Sequence, residues 1–138
     1  MNSGLLKIYR AFGGKLVGSS RMKHFVCQAV AQLPPRVSRY ITRNCWFMGS
    51  LEDAWAFTFV GNDLADQHLI FVSDELLRQS PEQIEFTLVH EIGHVILGHR
   101  NSIQVNQSRA EIGRQEREAD VFARRYVEIT RPSRWVKD

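Results

Sequence analysis

His90, Glu91 and His94 stand in the order His-Glu-x-x-His. On an α-helix, residues four apart share a face, one turn above the other. His90 and His94 can therefore turn two imidazoles towards one metal ion. Glu91 lies about 100° round the helix from His90, beside such an ion and not on it. That is where a general base for the activation of water belongs.

Two histidines leave a metal site incomplete, because a catalytic zinc usually has three protein ligands and one open position. The third could be His99, a carboxylate or a cysteine. The longer pattern with Gly and His at 97 and 100 does not fit, since those positions hold Leu97 and Arg100. His99 follows Gly98, a helix terminus by its residue type, and has no turn of chain in which to bend back. Gln115 to Ala123 reads as a second helix and offers a better candidate. Glu116 and Asp120 are four apart on one face, with the small Ala119 and Ala123 nearby to allow close helix packing. Taken alone this pair would be an ordinary solvated charged face. Beside the two histidines, Glu116 is expected to reach the metal. Asp120 is expected to accept a hydrogen bond from the far ring nitrogen of a ligating histidine, fixing its tautomer. Glu118 points about 200° away from Glu116 and is expected in solvent.

The helix that carries the histidines is announced by Ser80-Pro81-Glu82-Gln83, with a serine cap, proline at the first position and glutamine three residues after the cap. It should run from Pro81 to about Gly98. Phe86, Leu88, Val89, Ile92, Val95, Ile96 and Leu97 make it apolar round most of its circumference, so it should be buried. Buried histidines need partners. Gly93 costs about 1 kcal/mol of helix stability relative to alanine, which points to a neighbouring backbone or a substrate approaching there.

Phe86 to His94, followed by Glu116-x-x-Ala119-Asp120-x-Phe122-Ala123, resembles the ImmA/IrrE family of zinc metallopeptidases. More broadly it resembles the gluzincins, whose third ligand is a glutamate on a following helix. The resemblance is specific over Ile84–Tyr126 and loose over Val37–Leu77. It implies a zincin-like domain with His90, His94 and Glu116 as zinc ligands, one ion per chain, and Glu91 as catalytic base. It also implies a substrate lying extended along a sheet edge, and for that edge the strand Ala54–Val60 is the choice. Such proteins commonly cleave DNA-binding regulators. No helix-turn-helix segment is evident here.

The remaining elements must position these residues. The 138 residues bound one domain with one modest core: an α+β fold with an N-terminal helix, a small, mostly antiparallel sheet, the histidine helix and the glutamate helix. Residues 1–20 read as an N-terminal arm, in which Leu5–Phe12, apolar at near-helical spacing, is either a short helix packing on the domain or part of the arm, and 130–138 as a C-terminal tail. Met22 to Leu33 forms an amphipathic helix with Met22, Phe25, Val26, Ala29, Val30 and Leu33 on one face, ended by Pro34-Pro35. Val37, Tyr40 and Ile41 are expected to begin a strand. Ala54–Val60 and Gln67–Val72 read as paired strands round Gly61-Asn62-Asp63. Ser73 caps a short helix. Asn101–Ser108 is the polar loop between the metal-bearing helices, and Arg109–Ile129 is the glutamate helix.

Composition sets limits. Apolar residues at 43% and charged ones at 24% belong to a soluble globular chain. No apolar run is long enough to span a bilayer, and Met1 to Arg10 lacks a signal-peptide core. Cys27 and Cys45, far apart and without metal-site spacing, fit reduced thiols in a cytoplasmic protein. The net charge of +3 is mild, and Arg114, Arg117, Arg124 and Arg125 spread round their helix instead of forming a stripe. Direct nucleic-acid binding is therefore disfavoured. The expected activity is hydrolysis of peptide bonds in a protein or peptide substrate such as a transcriptional regulator. The competing reading is a non-catalytic, zinc-stabilised binding or sensor protein that docks a regulator. For the oxyanion donor, His68, Arg125 and Tyr126 remain open.

Overall fold

The computed structural model describes residues 1–49, 67–98 and 108–127. Helix α1 (Ser3–Phe12) is capped by the Asn2 side chain, which accepts from the Leu5 amide at 2.9 Å. Strand β1 (Leu16–Val17) follows, then α2 (Ser20–Ala31), capped by Ser19. Next come α3 (Pro35–Asn44), β2 (Cys45–Met48), β3 (His68–Phe71), the short α4 (Asp74–Leu77), α5 (Pro81–Ile96) and α6 (Arg109–Tyr126). Within residues 1–20, Leu5, Phe12 and Leu16 are all buried in the core.

Two sequence expectations change. Val37, Tyr40 and Ile41 lie in the helix α3 and not in a strand. Pro34-Pro35 does end α2, but Pro35 also starts α3, because proline's missing N–H and fixed φ suit the first helical turn. The β-branched residues there are spaced four apart, which places Val37 and Ile41 on one helical face. The α+β class holds, but the sheet differs from the mostly antiparallel one expected. Its described strands run in the order β1-β2-β3 and pair in parallel, with Leu16 opposite Phe47 and Cys45 opposite His68. Parallel neighbours need a crossover, and α2 with α3 supplies it between β1 and β2. The expected strand Ala54–Val60, the turn at 61–63, most of the loop Asn101–Ser108, His99 and the tail 130–138 lie outside the described residues.

The core forms where α2 meets the sheet and α5. Met22, Phe25, Val26, Ala29, Val30 and Leu33 are buried as their spacing requires, against Ile84, Leu88 and Ile92 of α5. Phe12 stands edge-on to Phe47 with ring centroids 5.8 Å apart. Burying each such side chain contributes about 1.5–3 kcal/mol, so α5 is held as a rigid central rod. Arg21 of α2 donates through both Nε and a terminal nitrogen to the Leu77 carbonyl, at 3.1 and 3.0 Å. That contact ties down the chain just before α5 begins. Among the described residues, no helix is long and apolar enough to cross a membrane.

Candidate metal centre

α5 begins as its sequence dictates. The Ser80 hydroxyl accepts from the Gln83 amide at 3.2 Å and Pro81 fills the first turn. The helix ends at Ile96, and Gly98 adopts φ 69°, a left-handed conformation that glycine takes without a Cβ penalty. α6 begins under Ser108, whose hydroxyl accepts from the Glu111 amide at 3.1 Å. The two helices pack closely. Ala119 and Ala123 are fully buried. A Cβ built on Gly93 would lie 3.0 Å from Cδ1 of Phe122. The close approach expected at Gly93 is thus made by the Phe122 ring.

This packing brings four side chains from the two helices together. His90 is buried, with Nδ1 2.8 Å from Asp120 Oδ1 and Nε2 2.8 Å from Glu116 Oε2. His94 Nε2 lies 3.2 Å from Glu116 Oε1 and 3.2 Å from His90 Nε2. Asp120 is fully buried, and its second oxygen, Oδ2, has no hydrogen-bond partner among the described residues. Glu118 is exposed and sits 3.7 Å from Arg114, one turn away on the same helix.

The donor set favours a cation. A carboxylate only accepts hydrogen bonds, so His90 Nδ1 carries the hydrogen shared with Asp120. Nε2 of the neutral ring then holds a lone pair. That lone pair faces the Glu116 carboxylate and the second imidazole nitrogen, and such atoms repel unless a proton or a metal ion lies among them. One ligand atom from each of His90, His94 and Glu116 can be chosen so that all lie within 4.8 Å of one another. Tetrahedral zinc with bonds of roughly 2.0–2.1 Å sets its ligand atoms roughly 3.3 Å apart. The observed 2.8–3.2 Å contacts are within roughly half an ångström of that spacing. The three side chains therefore fit such an ion.

Glu91 is half-buried beside this group and makes no hydrogen bond among the described residues. Burial raises its carboxyl above the ordinary glutamate value, nearby His90 opposes the rise, and Glu116 adds to it. Burial likewise lowers His94 below the usual histidine range, against the pull of Glu116. Both shifts keep these groups closer to neutrality, His94 in the form that can ligate a metal.

The oxyanion candidates are placed elsewhere or left without a distinguishing contact. His68, on β3, pairs with the Tyr40 hydroxyl at 2.9 Å. Tyr126 packs against Phe122 with centroids 5.2 Å apart, and Arg125 is exposed. Two features escaped the sequence reading. One is Phe122 as the partner of Gly93, for which the signal was an aromatic residue on the same face as Ala119. The other is a bond between Gln83 and Thr87, for which the signal was polar residues four and eight positions before Glu91.

Residues 81–134 match the family model Peptidase U49, a stretch that contains both helices and every residue of the cluster. The match indicates a peptidase family, with a protein or peptide as the class of substrate. No curated protein and no solved structure matches the chain.

Proposed function

We propose that the chain is a zinc metallopeptidase of the ImmA/IrrE type, with His90, His94 and Glu116 as metal ligands and Glu91 as general base. The observation that carries this reading is the convergence of two histidines and a glutamate on one point, next to a half-buried Glu91 without a hydrogen bond among the described residues. It lies within a segment similar to a peptidase family. Bound there, the metal supplies a Lewis acid that acidifies water and polarises the scissile carbonyl. Glu91 takes a proton from the attacking water and passes it to the leaving amine. Its raised carboxyl suits both the taking and the giving. Asp120 holds the His90 ring by Nδ1, so that Nε2 keeps its lone pair directed at the metal position. We place the protein in the cytoplasm, as one domain acting on a regulatory protein; the mild net charge and the two free, buried thiols support that setting.

The test is zinc per chain, measured by elemental analysis on wild type, Glu116→Gln and Glu118→Gln purified in parallel. The expected result is about one zinc on wild type and on Glu118→Gln, and little on Glu116→Gln. A wild type that holds no zinc after reconstitution, or equal losses in the two variants, would overturn the reading.

A further inference from the structure

α5 buries apolar residues on most of its circumference, yet Gln83, Thr87, Glu91 and His94 are all half-buried and polar. Their spacing puts them within roughly 80° of the helix circumference. The polar strip of the metal centre therefore continues two turns towards the start of the helix. In it, Gln83 Nε2 donates to Thr87 Oγ1 at 3.1 Å. A glutamine at this position after a serine cap would ordinarily reach back to the cap amide. Here only its backbone N–H is engaged by Ser80, and its side chain turns forward along the strip.

Neither side chain makes a further hydrogen bond among the described residues. The pair is left with two donors, the Thr87 O–H and the second Gln83 N–H, and with the Gln83 carbonyl oxygen as an acceptor beside them. If the amide is turned over, the roles exchange, but at least one donor and one acceptor remain. A neighbouring donor and acceptor on a half-buried surface match an amide group, which offers one of each.

We propose that Gln83 and Thr87 bind an amide group of the substrate on the leaving-amine side of the scissile bond. The side follows from the chemistry and rests on the peptidase reading above. Glu91 hands its proton to the leaving nitrogen, so that part of the substrate lies next to Glu91. Thr87 is about 6 Å further along the helix axis, the length of about two residues of extended chain. The pair thus meets the first or second residue after the cut. The amide comes either from an Asn or Gln side chain or from the peptide backbone, and the two sources predict different selectivity.

Zinc-loaded wild type, Thr87→Val, Thr87→Ser and Gln83→Met are incubated with a randomised peptide library and a native cell extract, and new N-termini are read by mass spectrometry. Side-chain recognition gives wild-type cuts followed within two residues by Asn or Gln. Thr87→Val and Gln83→Met then lose that preference, with kcat/KM on a preferred peptide down about five- to tenfold, and Thr87→Ser retains it. Backbone recognition gives no such enrichment, but the same fall in Thr87→Val across all cut sequences. Zinc content and melting temperature stay at wild-type values in either case. Cutting by all four proteins with unchanged rates and preference overturns the proposal and leaves the peptidase reading standing. No new N-termini from zinc-loaded wild type overturns both.

Discussion

Replacing Gly93 by alanine inserts one methyl group where α5 and α6 come closest. Its Cβ would lie 3.0 Å from Phe122 Cδ1, 3.2 Å from Cγ and 3.3 Å from Cβ. Phe122 is buried and braced by Tyr126, so the ring has little room to swing aside. The substitution gains about 1 kcal/mol of helix propensity and loses about 1–3 kcal/mol to overpacking. The net expectation is a destabilisation of about 0–2 kcal/mol. Moving from 3.0 Å to the near edge of ordinary contact at 3.4 Å takes 0.4 Å. Coordination distances tolerate only about 0.2 Å. If α6 takes up the shift as a rigid body, it carries Glu116 and Asp120 with it, and zinc affinity should fall about tenfold or more. Gly113→Ala is the control, since its Cβ would meet only the movable end of Arg117, at 3.3 Å. It should stabilise the chain by about 1 kcal/mol and leave zinc affinity unchanged. Urea denaturation in chelator gives the stabilities and calorimetric titration with zinc the affinities. Equal stabilisation by both substitutions, with affinity intact in both, would refute the close-packing argument.

Glu91→Gln should keep zinc and lose hydrolysis, as followed by peptide cleavage and elemental analysis side by side; loss of the metal as well would make Glu91 a ligand. Asp120→Ala should weaken zinc by about 10–100-fold in a competition titration with a chelator, and an unchanged affinity would reduce Asp120 to a packing residue. Burial pushes the Cys27 thiol to about 11 and the Cys45 thiol to about 12, from 9.0. Iodoacetamide at pH 8 should therefore label neither until denaturant is added, and rapid labelling of the native protein would contradict their burial. The same shifts leave stability undiminished below pH 9 and reduce it as pH rises from there through 11 to 12. Denaturation midpoints taken across pH 8 to 10 should fall accordingly.

The helical parts of the fold were legible because their signals are local. Ser19, Ser73, Ser80 and Ser108 each cap the helix that follows, and serine caps act within three residues. Every residue that the apolar spacing of α2 picked out is buried, Leu33 just beyond its end, and Cys27 is buried with them. The meeting of these four side chains was legible too, since two four-residue spacings, His90–His94 and Glu116–Asp120, each define a helix face. That these faces meet is a tertiary fact, and only the small residues Gly93, Ala119 and Ala123 hinted at it. The sheet was less legible. Parallel pairing depends on how the chain crosses between strands, and β1 has two residues and β2 four, too few for a periodicity. The start of α3 is ambiguous in sequence for a related reason: its β-branched residues favour a strand, while the proline before them carries the stronger steric instruction.

His90 has one more consequence. Its two ring nitrogens face Asp120 and Glu116, which stand one turn apart on α6, the first through a direct hydrogen bond and the second across the proposed metal position. Two attachments at different heights fix both the rotation of a rod and its position along its own axis. Ala119, Ala123 and Gly93 alone make a smooth contact along which α6 could slide. A slip of one residue moves α6 by about 1.5 Å and turns it by about 100°, which would withdraw both carboxylates from a ring buried too deeply to find water instead. The imidazole thus acts as a key that admits one register between the helices. The alignment of Glu116 with His94 follows from that register.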